Sequence, residues 1–355
     1  ALIELINALP EELYNITLVL LDSDNEYDYR LKKNVNIVQL TFNSSFAKSL
    51  VSMYAFPAKV LKKLSVNSFI PYYDFISNCV TNVFEKTYDI AIDFYGYGSF
   101  VTAFLATKIQ AKKKATWLHD EKPYWMKSVQ KYLCEYDKIY GVSQAVVDAF
   151  CREYPHYKDK AAVFYNVIDI EEIKRKSEQD EIIPFKESFN IVTVGRLTEQ
   201  KGYDIAIKAA SILKKRKINF AWYAIGGGRD EKKLKKLVEK YCLENQFVFL
   251  GRKKNPYPYM KHCDLYVQPS RHEGYVITLV EARALCLPIL SSDIPSAREQ
   301  IQDGINGYIA DLSAEALADK IEYLYNNPSQ MEKTVEHLKE HPIDFSTELL
   351  KLEKI

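Results

Sequence analysis

Pro269-Ser270-Arg271-His272-Glu273-Gly274-Tyr275-Val276-Ile277-Thr278-Leu279-Val280-Glu281-Ala282 follows a strand-length apolar run, Asp264 to Gln268. Two glutamates stand eight positions apart, one just past the strand end and the other in the first turn of the helix that follows. A strand end in a parallel sheet is where such sheets bind ligands. A helix start offers unpaired backbone N–H groups and a positive dipole end to an anion such as a diphosphate. Carboxylates at these two places can accept hydrogen bonds from sugar or ribose hydroxyls. Glu281 has a second reading, because Thr278-x-x-Glu281 spells a capping box in which the glutamate satisfies the N-cap amide. Glu273, flanked by Gly274, has no evident structural task.

On either side of this stretch the same strand, loop and helix unit recurs. Strands are expected at Ile191 to Gly195, Phe220 to Ile225, Phe247 to Leu250, Asp264 to Gln268 and Pro288 to Ser291. Earlier runs at Ile16 to Leu21, Val35 to Leu40, Asp89 to Asp93, Ala115 to Leu118, Lys138 to Val142 and Ala162 to Tyr165 alternate in the same way. Such alternation means βαβ units and parallel sheets. The pattern breaks at the charged stretch Glu171 to Lys186, and 355 residues suit two domains. The expected class is α/β, two Rossmann-like doubly wound domains facing each other across a cleft. Residues 1–168 form the acceptor-side domain, 169–340 the donor domain, and 341–355 a helix returning to the first. Because a helix and not a strand opens the chain, the first strand and its Gly-rich loop are expected to lie outside this sequence.

Two further loops end strands of the second half. Val194-Gly195-Arg196-Leu197-Thr198-Glu199-Gln200-Lys201-Gly202 brings two cations within reach of one anion, although such a loop can equally be a plain turn. Gly226-Gly227-Gly228 permits close backbone approach to a ligand, or makes a flexible loop. The helix from Arg229 carries Leu234, Leu237, Val238, Tyr241 and Cys242 on one stripe, so its lysines read as a solvated face.

The order G-R-x(4)-K-G, a Gly-rich turn, then E-x(7)-E resembles the retaining glycosyltransferases of the large GT-B family four. The likeness runs from about Asn190 to Ala310 and includes Phe249-Leu250-Gly251, Cys263-Asp264 and Asp303-Gly304-x-Asn306-Gly307. It implies transfer of a hexose or N-acetylhexosamine from a nucleotide diphosphate sugar, UDP favoured, without a metal ion or other cofactor. Arg196 and Lys201 would neutralise the diphosphate, Glu281 would hold the ribose, and Glu273 would face the donor sugar. Gly195, Gly226, Gly227, Gly274, Tyr275, Val276, Thr278 and Leu279 would line the nucleotide sugar, with Arg252, Pro256 and Tyr257 near the base. In the first half Thr116-Trp117-Leu118-His119-Asp120 is similar to the family's strand end that turns a His toward the transferred sugar; a turn-capping His119 is the alternative. Asn166-Val167-Ile168-Asp169 resembles the hinge, with Val167 where Gly is usual. Cys286 likewise stands in place of a Gly. The implied acceptor is a glycan or a lipid-linked glycan of bacterial surface polysaccharide synthesis.

The charges, 48 Lys+Arg against 47 Asp+Glu, leave a net of +1, so no global field gathers nucleic acid or membrane. Contact with a membrane face would rest on local stretches, Lys112-Lys113-Lys114 and Tyr124-Trp125-Met126-Lys127, which also read as solvated loops. No run approaches the ~20 apolar residues of a membrane span. The opening helix has no basic flank or cleavage site, and Cys79, Cys134, Cys151, Cys242, Cys263 and Cys286 lack CxxC spacing. They read as reduced core thiols of a cytoplasmic protein, working in the cytoplasm or at the inner face of the cell membrane. Asp22-Ser23-Asp24 spells the D-x-D of metal-dependent transferases but reads better as a solvated turn. A sugar-nucleotide epimerase and a non-catalytic glycan- or nucleotide-binding partner remain rival readings. A dehydrogenase is disfavoured, since no G-x-G-x-x-G follows a strand and Gly96-Tyr97-Gly98 is too little.

Overall fold

The β-rich runs pair into parallel sheets in a computed structural model that describes residues 1–21, 31, 32, 34–43, 70–96, 98–179, 185 and 188–355. Contacts between Cα atoms divide the chain into two compact units: Ala1–Ile168 with Phe345–Ile355, and Asp169–Asp344.

The first unit opens with α1 (Leu2–Ala8), followed by β1 (Thr17–Leu20), β2 (Asn36–Gln39), α2 (Ile70–Asn78), β3 (Tyr88–Asp93), α3 (Phe100–Lys108), β4 (Ala111–Leu118), β5 (Lys138–Gly141), α4 (Gln144–Glu153) and β6 (Ala161–Val163). Strands β1 and β2 pair with each other, and β3 to β6 form a four-stranded sheet in sequence order. Its core is aromatic: the Trp117 ring meets those of Phe94, Tyr140 and Phe164 at 4.8–5.5 Å between centroids. Serines cap the crossover helices, Ser99 accepting from Val101 N and Ser143 from Val146 N.

The second unit runs α5 (Ile170–Ser177), β7 (Phe189–Val194), α6 (Tyr203–Lys215), β8 (Phe220–Ile225), α7 (Glu231–Lys240), β9 (Phe247–Gly251), α8 (Tyr257–Lys261), β10 (Leu265–Gln268), α9 (Ile277–Ala284), β11 (Ile289–Ser292), α10 (Pro295–Arg298), β12 (Tyr308–Ala310), α11 (Ala314–Asn326) and α12 (Pro328–Glu340). The order across the sheet is β12-β11-β10-β7-β8-β9, all parallel. Alternate residues of each strand feed two cores: Ile191, Trp222, Leu265 and Leu290 enter one, and Val192, Tyr223, Tyr266 and Ile289 the other. A sheet covered on both faces needs near-continuous apolar strands, which is why β8 is buried at every position. Because β7 pairs with β10, the chain winds outward in both directions from those two strands. The β7/β10 junction is the topological switch point, where doubly wound sheets open a ligand crevice.

Helix α13 (Ser346–Leu349) belongs to the first unit, where Glu348 accepts from Tyr165 N at 3.0 Å and Lys351 Nζ donates to Val163 O at 3.0 Å. Asp169 begins the second unit and caps α5 by accepting from Glu172 N.

Several local expectations are corrected. The charged stretch Glu171 to Lys186, where the strand pattern breaks, begins within helix α5, whose Ile173 is buried. Lys112 to Lys114 lie on β4 rather than in a loop, and Lys112 and Lys113 are paired with Asp89 and Asp137. Only Cys79 and Cys263 are buried; Cys134 and Cys242 are exposed, and Cys151 and Cys286 are intermediate. Cys242 lies past the end of α7 with φ of 52°, so the buried stripe there is Leu234 and Val238, flanked by Leu237 and Tyr241. Strand β12 had no sequence signal. Asp22-Ser23-Asp24 and Tyr97 lie outside the described residues.

Candidate active site

Four loops at the carboxyl ends of β7, β8, β9 and β10 build the site. The loop after β7 passes through Gly195 and Arg196, makes one 3-10 turn at Glu199–Lys201, and enters α6 through Gly202 at φ of 66°. A Cβ on Gly202 would lie 1.8 Å from the Pro269 carbonyl oxygen, so glycine is demanded by conformation and by space. That contact seats the β7 loop against the β10 loop. Arg271 N donates to Gln200 O at 2.8 Å, Gln200 Nε2 donates to His272 O at 3.0 Å, and the Arg271 guanidinium grips Asp204 through two 2.8 Å bonds. Fork-to-carboxylate pairing of this kind holds a geometry as well as adding energy.

The outcome of that joint is one ion pair at the switch point. Lys201 Nζ lies 2.6 Å from Glu273 Oε1, with side-chain exposures of only 14% and 8%. The ammonium has three protons, so this bond leaves two for a ligand. Arg196 is exposed on the same loop and holds no ion pair among the described residues. The structure thus brings Lys201 onto Glu273, while Arg196 is exposed on the loop that carries Lys201.

The triple glycine is a close-packed turn, not a flexible link. Gly226 has φ of 148°, and a Cβ there would meet Gly195 O at 1.9 Å. The Leu197 N–H donates to Gly227 O at 3.2 Å, and a Cβ on Gly227 would crowd Arg252 Nε at 2.9 Å. The loops after β7, β8 and β9 are therefore stacked backbone to backbone.

Thr278 and Glu281 do not form a capping box. Helix α9 begins at Ile277 with no side-chain cap, which leaves its first N–H groups without side-chain acceptors. The Thr278 hydroxyl turns inward and donates to Gln268 Oε1 at 3.0 Å. Glu281 instead accepts from the Tyr257 hydroxyl at 3.0 Å, which joins α8 to α9. Burial holds the Glu281 carboxyl above its usual range, opposed by the Tyr257 hydroxyl and the Lys201 charge. Pro256 sits at the start of α8, and Tyr275 and Val276 lead into α9 in front of Leu279, which is core.

In the first unit His119 follows β4, and its Nε2 lies 2.7 Å from Phe94 O in the loop after β3. A carbonyl can only accept, so Nε2 carries the proton in the neutral ring. Burial pushes the imidazole pKa down, which keeps it neutral near pH 7. Through this bond His119 bridges two strand-end loops. Gly96 beneath it, at φ of 70°, has no room for a Cβ, which would lie 1.7 Å from Trp117 O.

Several residues that shape the site escaped the sequence reading. Asp204 and Gln200 are polar groups whose partners lie about 70 positions along the chain, while Gln268 and Ser270 bond close neighbours in a buried segment, and only Gln268, a glutamine ending a buried strand, left a signal.

Residues 174–341 match the family described as glycosyl transferases group 1. An uncharacterized glycosyltransferase of Methanocaldococcus jannaschii is 32% identical over 173 residues, covering 47% of this chain and 40% of that protein. The N-acetylgalactosamine-N,N'-diacetylbacillosaminyl-diphospho-undecaprenol 4-alpha-N-acetylgalactosaminyltransferase of Campylobacter jejuni is 32% identical over 157 residues, covering 44% of this chain and 41% of that protein. The matches thus span about two fifths of the length of these curated relatives. Among solved structures, HepE of Anabaena in complex with UDP superposes with a TM-score of 0.70 over 99% of this chain and 94% of its own, at 16% identity. That likeness makes the fold GT-B, and the matched family and both relatives are described as glycosyltransferases. Among the described residues no helix is long and apolar enough to cross a membrane.

Proposed function

We propose that the chain is a retaining, metal-independent GT-B glycosyltransferase that moves a hexose or N-acetylhexosamine from a nucleotide diphosphate sugar, UDP favoured, to a glycan or lipid-linked glycan in surface-polysaccharide assembly. One observation carries the reading: the buried Lys201–Glu273 pair stands at the β7/β10 switch point, with the α9 start and Glu281 next along the chain. An uncapped helix start, a buried cation and two carboxylates that can accept from hydroxyls are the groups a sugar nucleotide calls for.

In the proposed reaction the bond from the anomeric carbon to the diphosphate oxygen breaks. A bond to the acceptor hydroxyl oxygen forms on the same face, and the acceptor proton passes to the departing phosphate oxygen. The transition state resembles an oxocarbenium ion. Arg196 and Lys201 stabilise the charge that builds on the leaving group, the role a metal ion fills in other enzymes. Glu281 accepts from the ribose hydroxyls, the Arg252 to Tyr257 segment lies by the base, and the amides after Gly274 meet phosphate. Glu273 accepts from the donor sugar, and His119 keeps the role the resemblance gives it, a hydrogen-bond partner of that sugar. The enzyme works in the cytoplasm, at the membrane face when the acceptor is lipid-linked.

Calorimetric titration with UDP, GDP and ADP, each with and without a chelator, tests this. Chelator-insensitive binding of one nucleotide is expected, followed by transfer from its sugar conjugate with retained anomeric configuration. Binding of none moves the weight to a non-catalytic partner, and isomerised donor without acceptor moves it to an epimerase.

A further inference from the structure

Beneath Glu273 runs a buried polar chain whose hydrogen-bond directions can be worked out from the chemistry of its end. Glu273, paired with Lys201, is a carboxylate and only accepts. Ser270 Oγ, 2.7 Å from Oε1, therefore donates to it. With its single proton committed, Ser270 must accept from the group 2.6 Å away, which makes that group the amide nitrogen of Gln268. The amide oxygen then faces the hydroxyls of Tyr266 and Thr278, and both donate to it. The flipped amide would leave Ser270 and Glu273 facing each other without a proton, so only one orientation satisfies every member. Gln268 and Ser270 are both 0% exposed, and Ser292 Oγ reaches their carbonyls at 3.2 and 2.6 Å.

The consequence falls on the two oxygens of Glu273. Oε1 already accepts from Lys201 at 2.6 Å and from Ser270 at 2.7 Å. Among the described residues Oε2 has only Gln200 Nε2 at 3.5 Å, at the outer limit of a hydrogen bond. We propose that Gln268 and Ser270 are positioning residues that hold Glu273 by Oε1, so that Oε2 is the oxygen that receives a hydroxyl of the donor sugar. The nature of that ligand rests on the transferase reading above.

The test compares wild type, Ser270→Ala, Gln268→Glu, Glu273→Gln and the double variant Ser270→Ala/Glu273→Gln. Affinities for UDP, UDP-glucose and UDP-N-acetylglucosamine are read by calorimetry, and kcat and KM as functions of pH. Ser270→Ala is expected to weaken binding of the preferred UDP-sugar and lower kcat by about 10-fold, while UDP affinity stays within about 3-fold. In the Glu273→Gln background the same change is expected to add less than about 2-fold, because Ser270 acts through that carboxylate. Gln268→Glu is isosteric and still accepts from Tyr266 and Thr278, but it sets two carboxylates on one hydroxyl. The acid limb of its kcat/KM profile should move up by about one pH unit, a change that loosened packing alone does not produce.

Additive losses in the double variant, equal loss of UDP and UDP-sugar affinity, or an unmoved acid limb each overturn the inference. If Gln268→Glu does not fold, Ser270→Ala lacks a single oxygen and the binding cycle decides alone. A wild type that binds a nucleotide sugar without transferring it sinks the transferase reading while the binding cycle, run with that nucleotide sugar, still decides this one; a wild type that binds none of UDP, GDP, ADP or their sugar conjugates overturns both.

Discussion

Asp93 ends β3 and Glu273 follows β10, so both carboxylates stand at the carboxyl end of a parallel strand, and both are nearly inaccessible to water. Asp93 is held by neutral donors alone, Thr102 Oγ1 at 2.6 Å, Thr116 Oγ1 at 3.0 Å and Gly96 N at 3.0 Å, and burial pushes its carboxyl up. Glu273 has one such hydroxyl and, in addition, the Lys201 ammonium. The same burial thus yields two different groups. Burial raises the Asp93 carboxyl against the opposing pull of its hydrogen-bond donors, and that group braces a loop, whereas Glu273 faces a cation and keeps an oxygen for a ligand. Position at a strand end does not distinguish them; the partner does.

The comparison breaks first at the cations. Lys201→Ala and Arg196→Ala should each lower transfer by roughly 100- to 1000-fold in steady-state assays with UDP-sugar. They should part in stability: losing Lys201 strands a buried carboxylate at a cost of about 3 kcal/mol, visible by denaturant melts, while losing the exposed Arg196 leaves the midpoint nearly unchanged. Near-normal turnover in both variants would end the assignment. Next, Glu273→Gln should lower kcat by about 100-fold with UDP affinity within about 3-fold; parallel loss of both would make Glu273 structural like Asp93.

Asp93→Asn should behave in the opposite way, with UDP affinity unchanged and stability at neutral pH reduced by about 1–2 kcal/mol, because an amide N–H₂ then faces hydroxyl donors. Its pH dependence follows from the raised carboxyl. The folded state holds the proton more tightly than the unfolded chain, so this group's contribution is present below its usual value of 3.8 and is lost as pH rises through the raised one. Melts from pH 4 upward should show that decline in wild type and its absence in Asp93→Asn. The smallest effect lies away from both carboxylates. Cys286 follows α9 at φ of 52°, where a side chain costs about 1 kcal/mol, so Cys286→Gly should stabilise by up to that amount. No gain in thermal midpoint would mean that the thiol's contacts offset the strain.

Much of this molecule is readable from residue order alone. Apolar runs of strand length between amphipathic stretches specify parallel α/β sheets, since a strand covered on both faces must be apolar throughout. The E-x(7)-E spacing puts one carboxylate at a strand end and one in the next helix, and the glycines at 202 and 226 mark places where backbone must approach backbone. Three things came only with the tertiary structure. The choice of β10 as neighbour to β7 sets the switch point, and it depends on how the whole sheet covers its two faces rather than on either strand. The capping-box spelling at Thr278 and Glu281 yielded to stronger partners, Gln268 and Tyr257, that no local pattern could reveal. The cation that faces Glu273, Lys201, comes from 72 positions away, because electrostatics in a water-poor interior is decided by the nearest charge in space and not by the nearest in sequence.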